Sequence, residues 1–214
     1  MLKIWGRKNA YNVQKVLWLL DELQIAYQHV DVGSIPGDIE TPEFTTINPN
    51  QRIPVIFHNG TYIWESNTIL RYLAANYDNN LLRNETPLER THIDRWLDWE
   101  LGTLQPDFLA LFWNYFRTPE KKRDNAIVEE NLRRCEKRFS LLNNHLSNQP
   151  YLAGDSFTIA DVAVGTCLYR YKTMGTKTAS YDFVNSWYQK LLARPAYQRN
   201  IATRFNELKG RQVF

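Results

Sequence analysis

Hydrophobic positions in the first part of the chain alternate between strand spacing and helix spacing. Leu2–Trp5 is a short apolar run of the strand type. Apolar residues then recur at the i, i+3, i+4, i+7 spacing of one helix face, at Val13, Val16, Leu17 and Leu20. Residues 27–32 alternate between polar and apolar and predict a second strand. This order of strand, helix and strand predicts a βαβ unit at the N-terminus.

A hairpin and another helix follow in the pattern. Two strand-like runs, residues 55–57 and 62–64, flank Asn59-Gly60, a pair typical of a two-residue hairpin turn. Ile69, Leu70 and Leu73 then share one helix face, which predicts a helix that begins near Ser66. Residues 1–80 therefore predict a small α/β domain.

Beyond a polar segment the pattern is helical throughout. Residues 81–87 predict a linker to a second domain, residues 88–214. The longest apolar stripe of that domain falls at Val128, Leu132, Cys135, Phe139, Leu142 and Leu146. An earlier helical pattern covers residues 88–116, and Pro106 should kink or break it. Thr158 and Asp161 form a capping box that opens a further helix.

The composition excludes several classes of protein. Hydrophobic residues make up 43% and charged residues 23%, as in ordinary globular domains. The net charge of +3 does not by itself indicate nucleic-acid binding. No apolar run approaches the roughly 18 residues of a membrane span, and the start lacks a signal-peptide core. Two cysteines and four scattered histidines form neither a disulfide framework nor a metal site. We expect a cytoplasmic protein without metal, membrane or nucleic-acid partners.

Three local motifs have possible chemistry. The first is Arg52-Ile53-Pro54-Val55, at the start of a predicted strand. A trans proline that opens an edge strand explains it without any function. A cis turn that exposes the Ile53 backbone to an extended peptide ligand is the functional alternative, because such a ligand could pair with it as an added strand.

The second motif is Glu65-Ser66-Asn67, where a predicted strand meets a helix. Ser66 could be the N-cap, with Glu65 near the positive end of the helix dipole. Alternatively, the helix N-terminus and the Ser66 hydroxyl could bind the carboxylate of an amino-acid head group. Glu65 would then pair with its α-ammonium group.

The third motif is Asn9-Ala10-Tyr11-Asn12, at the start of the first helix. Asn9 or Asn12 could be the N-cap of this helix. The functional alternative is a hydrogen-bond donor beside a ligand thiol. Such a donor lowers the thiol pKa and raises the reactive thiolate fraction.

Together the three motifs describe a site for glutathione, and here the chain resembles the cytosolic glutathione S-transferase family over essentially its whole length. The motifs that carry the resemblance are residues 52–55, residues 64–67 with Ile69-Leu70-Arg71-Tyr72-Leu73, and residues 157–161. The resemblance implies a thioredoxin-like α/β N-terminal domain followed by an all-α domain. It also implies a cis peptide bond at Pro54.

The chain departs from the family at the thiol position. Several classes place a serine, cysteine or tyrosine beside the glutathione sulfur. The serine or cysteine position falls on Ala10 or Tyr11 in this chain, and the earlier tyrosine position falls on Trp5 and Gly6. Some bacterial members use an asparagine at the start of the first helix, which Asn12 matches. The resemblance therefore assigns Asn12 as the thiolate stabiliser, with Tyr11 as the second choice.

The remaining site residues are also expected from the resemblance. Gln51 or Arg52 would approach a carboxylate of glutathione. An apolar electrophile would sit between the domains, against the helix after the linker. Aromatic residues on more than one face of that helix give the candidates for its pocket, which are Phe112, Trp113, Tyr115 and Phe116.

The resemblance implies a homodimeric, glutathione-dependent transferase that acts in detoxification. It would add the glutathione thiolate to apolar electrophiles, and it could also reduce peroxides or disulfides. The alternative is a protein-interaction or regulatory module of the same fold without catalysis. The absence of the usual serine, cysteine or tyrosine favours this alternative, while Pro54, Glu65 and Ser66 favour the enzyme.

Overall fold

A computed structural model describes residues 1–82 and 86–212 of the chain. The first part contains strands β1 (Leu2–Trp5), β2 (Tyr27–Val30), β3 (Val55–His58) and β4 (Thr61–Trp64). Its helices are α1 (Tyr11–Glu22), α2 (Pro42–Ile47) and α3 (Ser66–Tyr77), and a 3₁₀ turn spans Asn79–Leu82. The strands, the hairpin and the two longer helices predicted from the sequence are confirmed, with β2 ending at Val30.

The four strands form one mixed sheet in the order β2-β1-β3-β4. β1 pairs parallel with β2 and antiparallel with β3, and β3 pairs antiparallel with β4. The hairpin turn holds Asn59 at φ 50° and Gly60 at φ 82°, the left-handed conformation that a two-residue turn of this kind requires. α1 and α3 pack against each other, and their fully buried residues, which include Val13, Val16 and Ile69, share one hydrophobic core with Ile4 and Ile56 of the sheet.

The second part is helical. Its helices are α4 (Pro87–Trp99), α5 (Gln105–Leu111), α6 (Asn125–Leu146), α7 (Ile159–Gly165), α8 (Leu168–Thr173), α9 (Asp182–Leu192) and α10 (Pro195–Asn200). Near Pro106 the helical winding changes but the helical path continues. A π-helical segment, Glu100–Leu104, connects α4 to α5, in whose first turn Pro106 lies. The predicted linker, residues 81–87, includes residues 83–85, which lie outside the described part of the chain.

The predicted capping box is confirmed at the start of α7. The buried Asp161 carboxylate accepts hydrogen bonds from the Thr158 backbone (2.9 Å), the Leu152 backbone (3.0 Å) and Trp187 Nε1 (3.0 Å). It therefore joins the preceding loop and α9 to the first turn of α7. Burial nevertheless raises the pKa of Asp161 to about 6, because the hydrogen bonds do not fully offset the cost of burying its charge.

This raised pKa predicts a pH-dependent difference between the wild type and Asp161→Asn. The folded state holds its proton on Asp161 to a higher pH than the unfolded state, so this group's contribution to stability falls as the pH rises through about 4 to 6. We expect the free energy of unfolding of the wild type, relative to Asp161→Asn, to fall by about 2 kcal/mol between about pH 4.5 and about pH 7. Urea unfolding at both pH values measures this, with exposed Asp155→Asn as the matched control. A difference that stays constant with pH would contradict the prediction.

Candidate functional site

Two depressions meet where α1 begins. The inner cavity, of about 180 Å³, is bordered by residues of the α1 N-terminus, the segment around α5, and three arginines. Its lining includes Asn12, Ile53, Leu109, Phe112, Trp113 and Leu208. The outer groove, of about 390 Å³, is bordered by Asn12, Ile39, Glu40, Asn50, Gln51, Arg52 and Ile53. Asn12 and Ile53 belong to both linings, so they mark the junction between the two spaces.

Gly6 allows the chain to turn from β1 towards this junction. Its φ is 147°, and a Cβ atom there would lie 2.5 Å from Val13 Cγ2 and 3.3 Å from Ile53 Cβ. Any larger residue would therefore push the start of α1 away from the loop before β3. The glycine keeps Asn12 next to Ile53.

A cis peptide bond and an internal hydrogen bond shape the loop before β3. The Ile53-Pro54 peptide bond is cis, as the resemblance predicted. Asn48 Nδ2 donates to the Arg52 carbonyl (2.8 Å), and Gln51 takes a left-handed φ of 53°. Arg52 is exposed, Gln51 and Ile53 are partly buried, and all three border the outer groove.

The structure corrects the capping interpretation of Ser66. α3 begins at Ser66 itself, and Glu65 occupies the N-cap position without a side-chain cap hydrogen bond. Glu65 has a φ of 69°, a conformation that is costly for a non-glycine residue and recurs where the backbone holds a ligand. Its side chain is exposed, while Ser66 is buried directly behind it.

The capping interpretation of Asn9 and Asn12 is also wrong. Ala10 occupies the N-cap position of α1, and no side chain caps the helix there. Asn9 Nδ2 instead donates to Glu207 Oε1 (3.0 Å). Asn12 is partly buried, and its buried Oδ1 has no hydrogen-bond partner among the described residues. A side-chain acceptor at the junction of the two depressions is thus left without a protein donor in the described part of the chain.

Tyr11, the second candidate for the thiol contact, borders the inner cavity but is itself buried. Its hydroxyl donates to Glu100 Oε1 (3.1 Å) in the protein interior. Burial and the neighbouring Glu100 carboxylate raise the pKa of Tyr11 well above its ordinary value. The hydroxyl is therefore engaged away from the groove and does not ionise near neutral pH.

The four aromatic candidates for the second pocket divide into two pairs. Phe112 and Trp113 border the inner cavity. Tyr115 lies elsewhere, because its hydroxyl donates to the Gly175 carbonyl (2.9 Å) and Arg123 stacks on its ring. Phe116 is buried in a stack with Phe112, with 5.2 Å between the ring centroids. Neither Tyr115 nor Phe116 belongs to the lining of the inner cavity or of the outer groove.

Sequence reasoning missed three arginines that border the inner cavity, Arg7, Arg117 and Arg170. Arg170 is 4% exposed and donates to the Asn9 carbonyl (2.7 Å) and to Gln14 Oε1 (2.8 Å). Arg117 is 2% exposed and stacks on the Trp113 ring at 4.3 Å. Burial, together with repulsion between the arginines, lowers the pKa of both Arg117 and Arg170 to about 10. Each cation comes from a different part of the sequence, so no local motif indicated the cluster.

A buried ion pair links the helices that carry the candidate site residues. Lys15 Nζ lies 2.7 Å from both carboxylate oxygens of Glu100, and both side chains are fully buried. Asn67, next to Ser66 in α3, donates to Glu100 Oε2 (3.2 Å) and to the Leu97 carbonyl (2.8 Å). Glu100 thereby joins α1 and α3 to the helical part of the chain.

Neither cysteine borders the site. Cys135 and Cys167 are fully buried in the core. Burial raises the pKa of the Cys135 thiol to about 12 and that of Cys167 well above its ordinary value. Within residues 1–82 and 86–212, His, Cys, Asp and Glu side chains form no group of three or more that could hold a metal ion. No helix in these ranges is both long and apolar enough to cross a membrane.

Comparisons with known proteins agree with this fold over nearly the whole chain. The glutathione S-transferase N-terminal domain model matches residues 1–75, and the C-terminal domain model matches residues 104–195. Glutathione S-transferase GstB of Escherichia coli K12 is 32% identical over 201 residues, which cover 93% of this chain and 97% of GstB. The probable glutathione S-transferase GSTF2 of Oryza sativa subsp. japonica is 26% identical over 203 residues, covering 92% and 94% of the two chains.

A solved structure gives the same result. The theta class glutathione S-transferase of Xanthomonas axonopodis pv. citri, solved with glutathione bound, has a TM-score of 0.90 and 37% identity, covering 95% of this chain and 98% of that one. The predicted fold class, a thioredoxin-like α/β domain followed by an all-helical domain, is thereby confirmed. The chain belongs to the glutathione S-transferase family of enzymes.

Proposed function

We propose that the chain binds reduced glutathione across the outer groove and transfers its thiolate to an electrophile in the inner cavity. The observation that carries the proposal is the junction at Asn12 and Ile53, which belong to both linings. A sulfur placed there is beside the asparagine amide and faces the second space. Holding two reactants side by side raises the reaction rate mainly through their proximity and orientation.

The proposed contacts with glutathione follow its chemistry. The backbone N–H groups at the start of α3 and the Ser66 hydroxyl bind the γ-glutamyl carboxylate, because a helix N-terminus favours anions. The exposed Glu65 pairs with the α-ammonium group. The Ile53 backbone pairs with the central peptide, and Gln51 or Arg52 approaches the glycine carboxylate. The exposed charge of Arg52, which borders the outer groove, supports its role.

The proposed chemical role of Asn12 is to stabilise the thiolate. Its amide donates a hydrogen bond to the sulfur but cannot take the proton, so the catalytic gain is a lower thiol pKa. The thiolate is the reactive form of a thiol, and a larger thiolate fraction near neutral pH raises the rate.

Glutathione-dependent reduction of peroxides or disulfides is a second proposed reaction. Both protein cysteines are fully buried, so the bound glutathione sulfur itself would be the attacking thiol. A second glutathione would then release the oxidised product as a glutathione disulfide. We also propose a homodimer, which would cover some of the exposed aromatic surface at Tyr62, Trp64 and Tyr77.

Calorimetric titration with reduced glutathione tests the binding site. We expect saturable binding near or below about 1 mM for the wild type. Ser66→Ala should weaken the affinity about 10-fold, because it removes a hydroxyl that hydrogen-bonds to a charged group. Thr68→Ala is the matched control, since Thr68 lies two residues further along the same helix and is exposed.

Two outcomes would contradict the binding proposal. Equal affinities of the wild type and Ser66→Ala would place the γ-glutamyl group elsewhere. The absence of any heat with the wild-type protein would favour the non-catalytic interaction module.

A further inference from the structure

The first turn of α1 is fixed from outside the helix. Ala10 occupies its N-cap position and makes no side-chain cap hydrogen bond. A helix end of this kind is commonly held by a polar side chain of its own segment, which alanine cannot provide. Contacts from the helical part of the chain hold this turn, which carries Asn12.

Arg170 of α8 makes the central contact with this turn. Its Nη2 donates to the Asn9 carbonyl, just before α1 (2.7 Å), and to Gln14 Oε1 within the helix (2.8 Å). Arg170 itself is buried. Asn12 lies between the two acceptor residues in the sequence, so one buried side chain ties down both ends of the segment that carries the proposed thiol contact.

Both acceptor residues make a second bond with the helical part of the chain. Asn9 Nδ2 donates to Glu207 Oε1 (3.0 Å), and Gln14 Nε2 donates to the Asn200 carbonyl (2.7 Å). The Gln14 amide is therefore fixed at its oxygen and at its nitrogen. Such a connected network of polar groups restricts the movement of the turn relative to α8.

The same guanidinium group lies beside the wall of the inner cavity. It borders the cavity and lies 5.3 Å from the centroid of the Phe112 ring and 5.6 Å from that of Phe205, within the range of a cation–π contact. Phe112 belongs to the cavity lining as well. Arg170 therefore contacts both the helix start proposed to meet the sulfur and the wall proposed to meet the electrophile.

The charged and titratable groups around Arg170 come from several elements. Glu207 stabilises its cation, Arg7 and Arg117 oppose it, and Tyr11 lies within electrostatic range. Burial is the main cause that lowers the pKa of Arg170 to about 10, so the side chain is cationic near neutral pH. Its hydrogen bonds to the two acceptors at the start of α1 are thus charge-assisted, and such bonds are stronger than those between neutral groups.

We infer that Arg170 is a positioning residue for the transfer reaction, which holds the first turn of α1, and with it Asn12, at the edge of the inner cavity. The inference rests on the proposed role of Asn12 as the thiolate stabiliser. Arg170 acts through the amide rather than on the sulfur itself. A displacement of about 1 Å in a catalytic group can lower a rate about 100-fold, so loss of this anchor should affect the reaction.

Arg170→Met tests the inference, because methionine keeps an apolar stem but donates no hydrogen bond. With 1-chloro-2,4-dinitrobenzene, from which the thiolate displaces chloride, we expect kcat/KM to fall about 10- to 100-fold. The thiol pKa of bound glutathione should rise by about one unit, since the Asn12 amide is no longer held against the sulfur. The calorimetric affinity for glutathione should stay within about 2-fold of the wild type, because its other proposed contacts lie on separate segments.

Lys172→Met is the matched control on the same helix. Lys172 lies two residues beyond Arg170, is partly buried, donates to Asn185 Oδ1 of α9 and does not belong to the cavity lining. Its substitution removes a cation and a hydrogen bond but should leave the thiol pKa and kcat/KM at their wild-type values. Arg170→Lys, which keeps a donor for one of the two acceptors, should recover part of the lost rate.

A double-mutant cycle with Asn12→Ala shows whether Arg170 acts through the amide. In the Asn12→Ala background, Arg170→Met should lower kcat/KM by less than about 3-fold, because the group that Arg170 positions is already absent. A general structural loss would instead multiply with the loss from Asn12→Ala. Gln14→Met removes one of the two acceptors and should give a smaller change in the same direction, which provides the result if Arg170→Met does not fold.

The outcomes separate this inference from the proposed function. A wild-type thiol pKa in Arg170→Met, or in Gln14→Met where the first variant does not fold, would overturn the inference if Asn12→Ala still raises that pKa. Losses that multiply in the cycle would also overturn it. An unchanged thiol pKa in Asn12→Ala itself would overturn the proposed role of Asn12 and the inference together.

Discussion

Replacing Lys15 with methionine should lower the free energy of unfolding by about 3–5 kcal/mol. The substitution leaves the Glu100 carboxylate fully buried and without its counter-charge. Among the described residues, the Tyr11 hydroxyl and the Asn67 amide still donate to it. Breaking one side of a buried ion pair costs far more than the pair itself contributes, because the remaining charge is neither solvated nor neutralised. Urea unfolding of the purified variant measures the loss.

A double-mutant cycle shows whether the cost arises from the orphaned charge. Glu100→Gln alone should be similarly destabilising, because it leaves the buried Lys15 ammonium group without a counter-charge. The introduced amide oxygen and Gln105 Oε1 (3.1 Å) are neutral acceptors. The double variant Lys15→Met, Glu100→Gln should be more stable than the sum of the two losses implies, by about 1–3 kcal/mol.

An exposed ion pair provides the control for this cycle. Arg133 and Glu130 form an i, i+3 pair on α6, with side chains 72% and 49% exposed. The same cycle on Arg133 and Glu130 should give a coupling below about 1 kcal/mol. Additive losses at Lys15 and Glu100 would contradict the assignment of a coupled buried pair.

Local signals in the sequence predicted the parts of the fold that short segments determine. Asn59-Gly60 predicts its hairpin because few other pairs tolerate positive φ at both positions. The capping box at Thr158 and Asp161 is likewise confined to four consecutive residues. Both outcomes depend on neighbours along the chain, so no tertiary information is required.

The buried charges could not be predicted in the same way. Lys15 lies in an apolar helix, where a lysine normally reaches solvent, and its partner Glu100 is 85 residues away. Arg170 likewise joins Asn9 and Gln14 across more than 150 residues. A single sequence shows each of these residues as an ordinary charged position, and only the packing of the two parts of the chain reveals that they are buried.

The candidate site could be predicted from the sequence only in part. The motifs proposed to bind glutathione, residues 52–55 and 65–66, each consist of a few consecutive residues, so the sequence alone could suggest them. The helix start could not be placed to the residue: Glu65 and Ala10, rather than Ser66 and Asn12, occupy the N-cap positions. The N-cap is the residue whose backbone departs from the helical conformation, and here these residues are Ala10 (φ −77°, ψ 132°) and Glu65 (φ 69°, ψ 115°).

Replacing Asn12 with alanine should reduce kcat/KM about 100-fold near neutral pH while leaving the affinity for glutathione nearly unchanged. Removing one hydrogen-bond donor to a reacting anion typically lowers the rate constant by about 100-fold or more. The pH at which the bound thiol ionises should rise by about one to two units, towards the ordinary thiol pKa of about 8.5. Asn12→Ser, which restores a donor, should recover part of the rate, and Asn12→Asp should be less active than Asn12→Ala because its carboxylate repels the thiolate.

Tyr11→Phe is the matched comparison, because it removes the hydroxyl of Tyr11, the other candidate for the contact with the thiol. The Tyr11 hydroxyl donates to Glu100 in the interior, so its loss should cost about 1 kcal/mol of stability and leave the thiol pKa of bound glutathione unchanged. Ultraviolet difference spectra of the thiolate, recorded with each variant across the pH range, measure this pKa directly. A raised thiol pKa in Tyr11→Phe with a normal value in Asn12→Ala would move the stabilising role from the amide to the phenol. The reverse result would identify the Asn12 amide as the group that keeps the sulfur reactive.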